Sequence, residues 1–175
     1  MNIKSKNQFI TFTALLTALA IAIPLVMPAK IIIPPASYTL ASHVPIFLAI
    51  FISPLMATIV IIGSTFGFLI AGFPFIIVLR AFSHLLFGVL GAVYLKKYPN
   101  VLSNSTKTWI FNISLALIHA FGELIVCILF YTATAFPSGN IFYLVFVLVG
   151  LGTIIHSVVD FLIAKYIYNR LLKIR

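Results

Sequence analysis

The stretch Phe73–Leu95, FPFIIVLRAFSHLLFGVLGAVYL, decides the reading of this chain. At ~1.5 Å of rise per residue it is long and apolar enough to cross a hydrocarbon core of ~30 Å. It also carries Arg80 and His84 in its interior, one helical turn apart. An arginine among lipid tails costs at least ~2.5 kcal/mol, so it faces a cavity or a partner. Two readings stand. Arg80 holds an anionic or strongly polar solute, or it pairs with an acid on a neighbouring helix and holds a bundle together.

The rest of the 175-residue chain has the same character. It is 63% hydrophobic and 7% charged, with a mean hydropathy of +1.24. That composition excludes a soluble globular domain and requires a protein that crosses the membrane several times. The net charge of +9 does not mark a nucleic-acid binder, because the basic residues lie in short clusters between apolar runs. Cys127, the single cysteine, lies in an apolar run, excludes an intrachain disulfide and reads as a packing residue. Lys4 and Lys6 before an apolar run resemble a signal peptide. The run is long and no small-x-small cleavage site follows, so a retained helix is expected.

Six spans are expected, at Phe9–Met27, Ala41–Ile52, Pro54–Ala71, Phe73–Leu95, Trp109–Ala135 and Ile141–Tyr168. Together they form one all-α transmembrane domain over residues 1–175. On the first span, Ala14, Ala18 and Ala22 recur every fourth residue and form a small-residue stripe suited to close approach by another helix. Pro28–Leu40, PAKIIIPPASYTL, is too proline-rich for a helix and too apolar for a solvated loop. It reads as an extended lid over residues 28–40. Gly63, Ser64 and Gly67 thin one face of the third span, for close packing or for a solute. Gly72-Phe73-Pro74 and Phe136–Asn140 read as turns, and 96–108 as the hydrophilic loop. Lys4, Lys6, Lys96, Lys97, Lys107, Lys165, Arg170, Lys173 and Arg175 then share one side, with only Lys30 on the other. That distribution puts both termini in the cytoplasm and the lid outside.

Depth counting pairs the polar residues. Arg80 lies roughly 10 Å below the outer face, and Glu123 on the antiparallel fifth span lies at a similar depth. His84 and His119, each one turn away, fall near the midplane. Arg80 with Glu123 therefore forms a layer above His84 with His119. A direct bridge would be structural. A gap would let Arg80 meet a solute carboxylate while Glu123 accepts from hydroxyl or amide donors, and the position beneath a lid favours the gap. His43, Tyr38 and Tyr131, near the outer face, are placed to close such a pocket, although either tyrosine also suits an interfacial belt. Asp160 falls towards the cytoplasmic face, paired with Lys165 or a neighbouring helix, and His156 reads as structural. The four histidines have no compact metal-ligand spacing, so no metal and no cofactor is expected. No HExxH, GxSxG, multi-Asp motif or P-loop is present, so neither catalytic residues nor ATP hydrolysis is expected of this chain.

These features together resemble the substrate-binding S component of an energy-coupling factor (ECF) vitamin transporter. The resemblance rests on size, six spans with both ends inside, the AxxxA stripe at Ala14 and Ala18, the lid, and the outer polar site. Within that family, ASHVPIFLAIFISP followed by GFPFIIVLRAFSH is most similar to the pantothenate-type branch. The resemblance implies a bacterial plasma-membrane subunit that binds a vitamin from outside. It also implies a transmembrane coupling subunit, contacted through the alanine face, and two cytosolic ATPases. Arg80 suits the carboxylate of pantothenate or nicotinate, and Glu123 with the histidines suits the hydroxyl and amide groups of pantothenate. Nicotinate, hydroxymethylpyrimidine and pyridoxine are the alternatives within the family. A membrane scaffold without a solute site is the alternative outside it.

Overall fold

The computed structural model describes residues 5–33, 36–134, 140 and 142–173. Helix starts follow local chemistry. Ser5 accepts the backbone N–H of Gln8, Ser53 that of Met56, and Asn104 that of Lys107. These caps open α1 (Lys6–Val26), α3 (Pro54–Ile70) and α5 (Ser105–Ala133). At the end of α3, Gly72 takes φ +73°. Phe73 N–H then returns to the carbonyl of Phe68 at 3.2 Å, and the two rings pack at 4.9 Å. This is a glycine C-cap with its apolar contact. It turns the chain directly into α4 (Phe75–Lys97), the helix of Arg80.

The segment expected as a lid holds two paired strands. β1 (Lys30–Ile33) and β2 (Ala36–Thr39) pair antiparallel, with Lys30 opposite Thr39 and Ile33 opposite Ala36. β1 is exposed throughout, whereas Ala36 and Thr39 of β2 are buried. The second expected span takes a different form. α2 (Val44–Ile50) has seven residues, about 10 Å of helix, far short of a bilayer core. Pro45 lies in its first turn, and Pro54 stops continuation beyond Ser53. All seven residues are buried, so α2 is a core plug.

Among the described residues, four helices are long and apolar enough to cross a membrane: Lys6–Val26, Phe75–Lys97, Ser105–Ala133 and Tyr143–Leu171. α3, with 17 residues, is a shorter apolar helix. The last of the four starts as a π-helical segment (Tyr143–Leu151) and continues as α6 (Gly152–Lys173). The expected hydrophilic loop 96–108 shrinks, because α4 runs to Lys97, a 3₁₀ turn covers Pro99–Ser103, and α5 starts at Ser105. The expected turn at 136–140 lies outside the described residues except for Asn140, which accepts the N–H of Tyr143.

Two apolar layers sandwich a polar one. The first is built around α2, with Phe47 packed on Phe87 at 5.6 Å and on Phe161 at 5.3 Å. The second, nearer the lid, contains Ala36, Ile77, Cys127, Tyr131, Val145 and Val149. Outward-facing residues are apolar as well, among them Phe82, Leu86 and Leu90 on α4 and Ile110, Ile113, Leu117 and Phe121 on α5. Apolar patches of that extent suit lipid rather than water. α1 lies on α3 through close backbone approach: a Cβ on Gly67 would meet Ile21 Cα at 3.0 Å. The glycine face of α3 is thus filled by α1 and leaves no room for a solute. Ala14 and Ala18 stay exposed and Ala22 is half-buried, while Leu16 and Ala20 face inward.

Candidate functional site

The polar layer gathers from four elements. α4 contributes Arg80 and His84, α5 contributes His119 and Glu123, α6 contributes Thr153, His156 and Asp160, and the turn before α2 contributes Ser42 and His43. The i, i+4 spacing on α4 and on α5 stacks each pair on one helix face. Arg80, His84, His119 and Glu123 are each at most 4% exposed.

Arg80 Nη2 donates to Glu123 Oε2 at 2.7 Å. Thr153 Oγ1 donates to the same oxygen. His84 Nε2 lies 3.2 Å from Oε1, and His119 Nε2 lies 3.4 Å from it. The expected gap between Arg80 and Glu123 is therefore closed. In a low-dielectric interior two opposite charges are drawn together, since an uncompensated buried charge costs several kcal/mol. The expected two layers collapse into one hub, with Glu123 at its centre. Two imidazoles remain incompletely engaged. Among the described residues, neither ring nitrogen of His119 makes a hydrogen bond, nor does Nδ1 of His84. Buried polar atoms without partners mark a place where a ligand or water supplies the missing bonds.

His43 lies deeper than the sequence suggests. Its ring is 4.6 Å from His84, 4.8 Å from His119 and 4.9 Å from His156 between centroids. Depth counting misses this contact, because it assumes a helix from Ala41 onward, whereas residues 40–43 form a turn closed by Ser42 N–H to Thr39 and Val44 N–H to Ala41. Tyr38 lies at the edge of the polar layer, its ring 5.6 Å from that of His156 between centroids. Its hydroxyl donates to the carbonyl of Leu148 in the π-helical segment. There Gly152 N–H reaches back to Val147, which passes over the Leu148 carbonyl and leaves it for a side chain. Tyr131 sits in the lid-side apolar layer.

Of the two partnerships expected for Asp160, that with a neighbouring helix holds, at the start of α2, and that with Lys165 does not. Lys165 bonds to Asn169, not to Asp160. Asp160 is fully buried and accepts the backbone N–H groups of Ala41 and His43, each at 2.9 Å. His43 Nδ1 and His156 Nε2 flank its Oδ2 at 3.3 and 3.4 Å. The expectation that the histidines make no compact ligand set fails as well. His43, His84 and His119 bring their nitrogens within 4.8 Å of one another, and His43, His156 and Asp160 do the same with their ligand atoms. Linear spacing cannot show this, because the members come from three helices and a turn. The signal available in the sequence was the presence of an intramembrane His–acid pair at i, i+4 on α6, His156 and Asp160, matching His119 and Glu123 on α5.

No known protein-family profile matches the chain, and no solved structure matches it. A characterised protein does. The niacin transporter NiaX of Lactococcus lactis subsp. cremoris (strain MG1363) is 42% identical over 173 residues, covering 97% of this chain and 77% of NiaX. Identity at that level over nearly the whole chain, joined to four apolar spans around a buried polar hub, makes this chain a member of the same family, that of the ECF vitamin-transporter S components.

Proposed function

We propose that the chain is the solute-binding subunit of an ATP-driven vitamin uptake system and that its solute is niacin, as nicotinate. The observation that carries the substrate is the 42% identity to a niacin transporter. The hub's chemistry supports it. Arg80 and Thr153 suit a small carboxylate once Glu123 yields its place, and the unengaged nitrogens of His119 and His84 suit the pyridine nitrogen. Pantothenate called for free acceptors to meet its hydroxyl and amide groups. Both oxygens of Glu123 already have partners in Arg80, Thr153 and His84. The nicotinate alternative therefore has better support than the pantothenate reading.

In this reading both termini are cytoplasmic and the chain makes six passes. The second is divided between the turn at residues 40–43 and the short α2. The exposed Ala14–Ala18 face of α1 meets a transmembrane coupling subunit, and two cytosolic ATPases power transport. The direct Arg80–Glu123 bridge favours a second reading, a scaffold without a solute site. Calorimetry on tag-free protein in detergent separates the two. Nicotinate should bind with sub-micromolar affinity and pantothenate about 100-fold more weakly or not at all, a difference of at least ~2.7 kcal/mol. Binding of pantothenate alone would overturn the substrate, and silence from every vitamin tried would leave the scaffold.

A further inference from the structure

Beyond the solute site, we propose that Ser42, His43, His156 and Asp160 form a binding site for one divalent transition-metal ion of the zinc class. Three ligand atoms, His43 Nδ1, His156 Nε2 and Asp160 Oδ2, form a near-equilateral triangle, with Ser42 Oγ close to the two nitrogens. His43 Nδ1 is 3.0 Å from His156 Nε2 and 3.3 Å from Asp160 Oδ2. His156 Nε2 is 3.4 Å from the same oxygen. Ser42 Oγ is 3.3 Å from His43 Nδ1 and 3.2 Å from His156 Nε2. A triangle with these edges has points about 2.0 Å from all three of its corners, the distance at which zinc holds imidazole nitrogen and carboxylate oxygen.

Hydrogen bonding accounts for these contacts poorly. One hydroxyl and one N–H on each facing ring nitrogen supply at most three protons for five close contacts, with Asp160 ionised. A cation at the centre is met by a lone pair from each group at once. Two imidazoles and a carboxylate make a three-ligand set, and the weak serine oxygen marks the fourth position, where open zinc sites carry water or an exchangeable ligand. The ion also supplies positive charge to a fully buried carboxylate whose ion-pair partners among the described residues are histidines.

The surroundings are built to hold the ligands still. Asp160 is clamped by the N–H groups of Ala41 and His43. Ala41 itself takes φ +65°, the one positive φ at a non-glycine among the described residues. Such a conformation costs about 1–3 kcal/mol and persists where the fold fixes it. Here the turn delivers His43 to the cluster. Conserving the orientation of ligands through outer hydrogen bonds is the usual design of a metal site. The His156 side chain is 11% exposed and marks the side from which an ion enters.

The test uses tag-free, chelator-treated full-length protein in detergent, titrated with Co²⁺ and then with Zn²⁺. One Co²⁺ per chain should bind, with the visible bands of a tetrahedral site, and Zn²⁺ should displace it. His156→Gln, at the least buried ligand, should weaken binding about 100-fold or more, whereas His119→Gln should change it by less than about threefold. No tetrahedral bands, binding unchanged by His156→Gln, or loss on His119→Gln alone would each overturn the site. Metal-free protein that binds nicotinate but no Co²⁺ would overturn the ion site and leave the solute assignment intact. Asp160→Asn, with thermal unfolding measured alongside, checks the carboxylate ligand independently.

Discussion

Replacing Glu123 by glutamine should make the protein less stable and its binding of nicotinate tighter. In the free protein Arg80 and Glu123 are 4% and 5% exposed at the side chain and 2.7 Å apart. Removing one charge of such a buried pair costs about 3–5 kcal/mol. For a chain of this size that lowers the unfolding midpoint by roughly 6–20 °C. A carboxylate entering the wild-type hub must first displace Glu123 from the guanidinium. In Glu123→Gln there is no anion to displace, and the solute restores the missing counter-charge. If only about a third of the 3–5 kcal/mol is relieved on binding, the gain is ~1.4 kcal/mol, or about tenfold in affinity. Arg80→Gln should act in the opposite direction. It leaves Glu123 facing the solute carboxylate and should weaken binding by about 100-fold or more. Calorimetry at neutral pH gives the affinities, and thermal unfolding with and without nicotinate gives the stabilities. Weaker binding in Glu123→Gln together with unchanged binding in Arg80→Gln would refute the exchange of carboxylates.

Three further predictions concern the elements around the hub. Tyr38→Phe removes the hydroxyl that meets the Leu148 carbonyl and should cost about 1–3 kcal/mol for the acceptor left behind, read as faster release of nicotinate in stopped-flow dissociation. Gly67→Ala drives a Cβ into the backbone of Ile21 and should destabilise the α1–α3 contact by about 1–3 kcal/mol, seen as a lower unfolding midpoint with solute stoichiometry kept at one per chain. Ala18→Leu fills an exposed position, so solute binding by the isolated chain should stay within about twofold. Nicotinate uptake by cells carrying the coupling subunits should fall, and full uptake would remove α1 from the partner interface.

Much of this arrangement is legible in the residues. Arg80, His84, His119 and Glu123 could be assigned to two facing helices by counting, because rise per residue is constant along a helix and antiparallel neighbours run in opposite senses. The alanine stripe was legible for the same reason. Distances across helices were not. Counting places Arg80 and Glu123 at one depth but says nothing of whether 2.7 Å or a cavity separates them. The extended lid was legible from Pro28, Pro34 and Pro35, but not the pairing of Lys30 with Thr39, which depends on a non-periodic chain reversal. Ala41–Ile52 was legible only as apolar, because such a run reads equally as a span or as a buried plug. Which neighbouring element Asp160 meets was not legible for the same reason, since the turn before α2 brings in the N–H groups of Ala41 and His43.

The π-helical segment has a consequence for how the last span tolerates change. Wider turns hold more residues per unit length than α-helical ones, so Tyr143–Leu151 acts as a store of slack within an otherwise continuous rod. Thr153, His156 and Asp160 lie just beyond it and are fixed by their partners on other elements. A residue lost from this segment can be absorbed by tightening it towards α-helix, and the hub keeps its rotational setting. A residue lost from α6 itself has no such reserve and turns every polar side chain after it away from the core. The span is thus elastic on the lid side and rigid on the side that carries its polar groups.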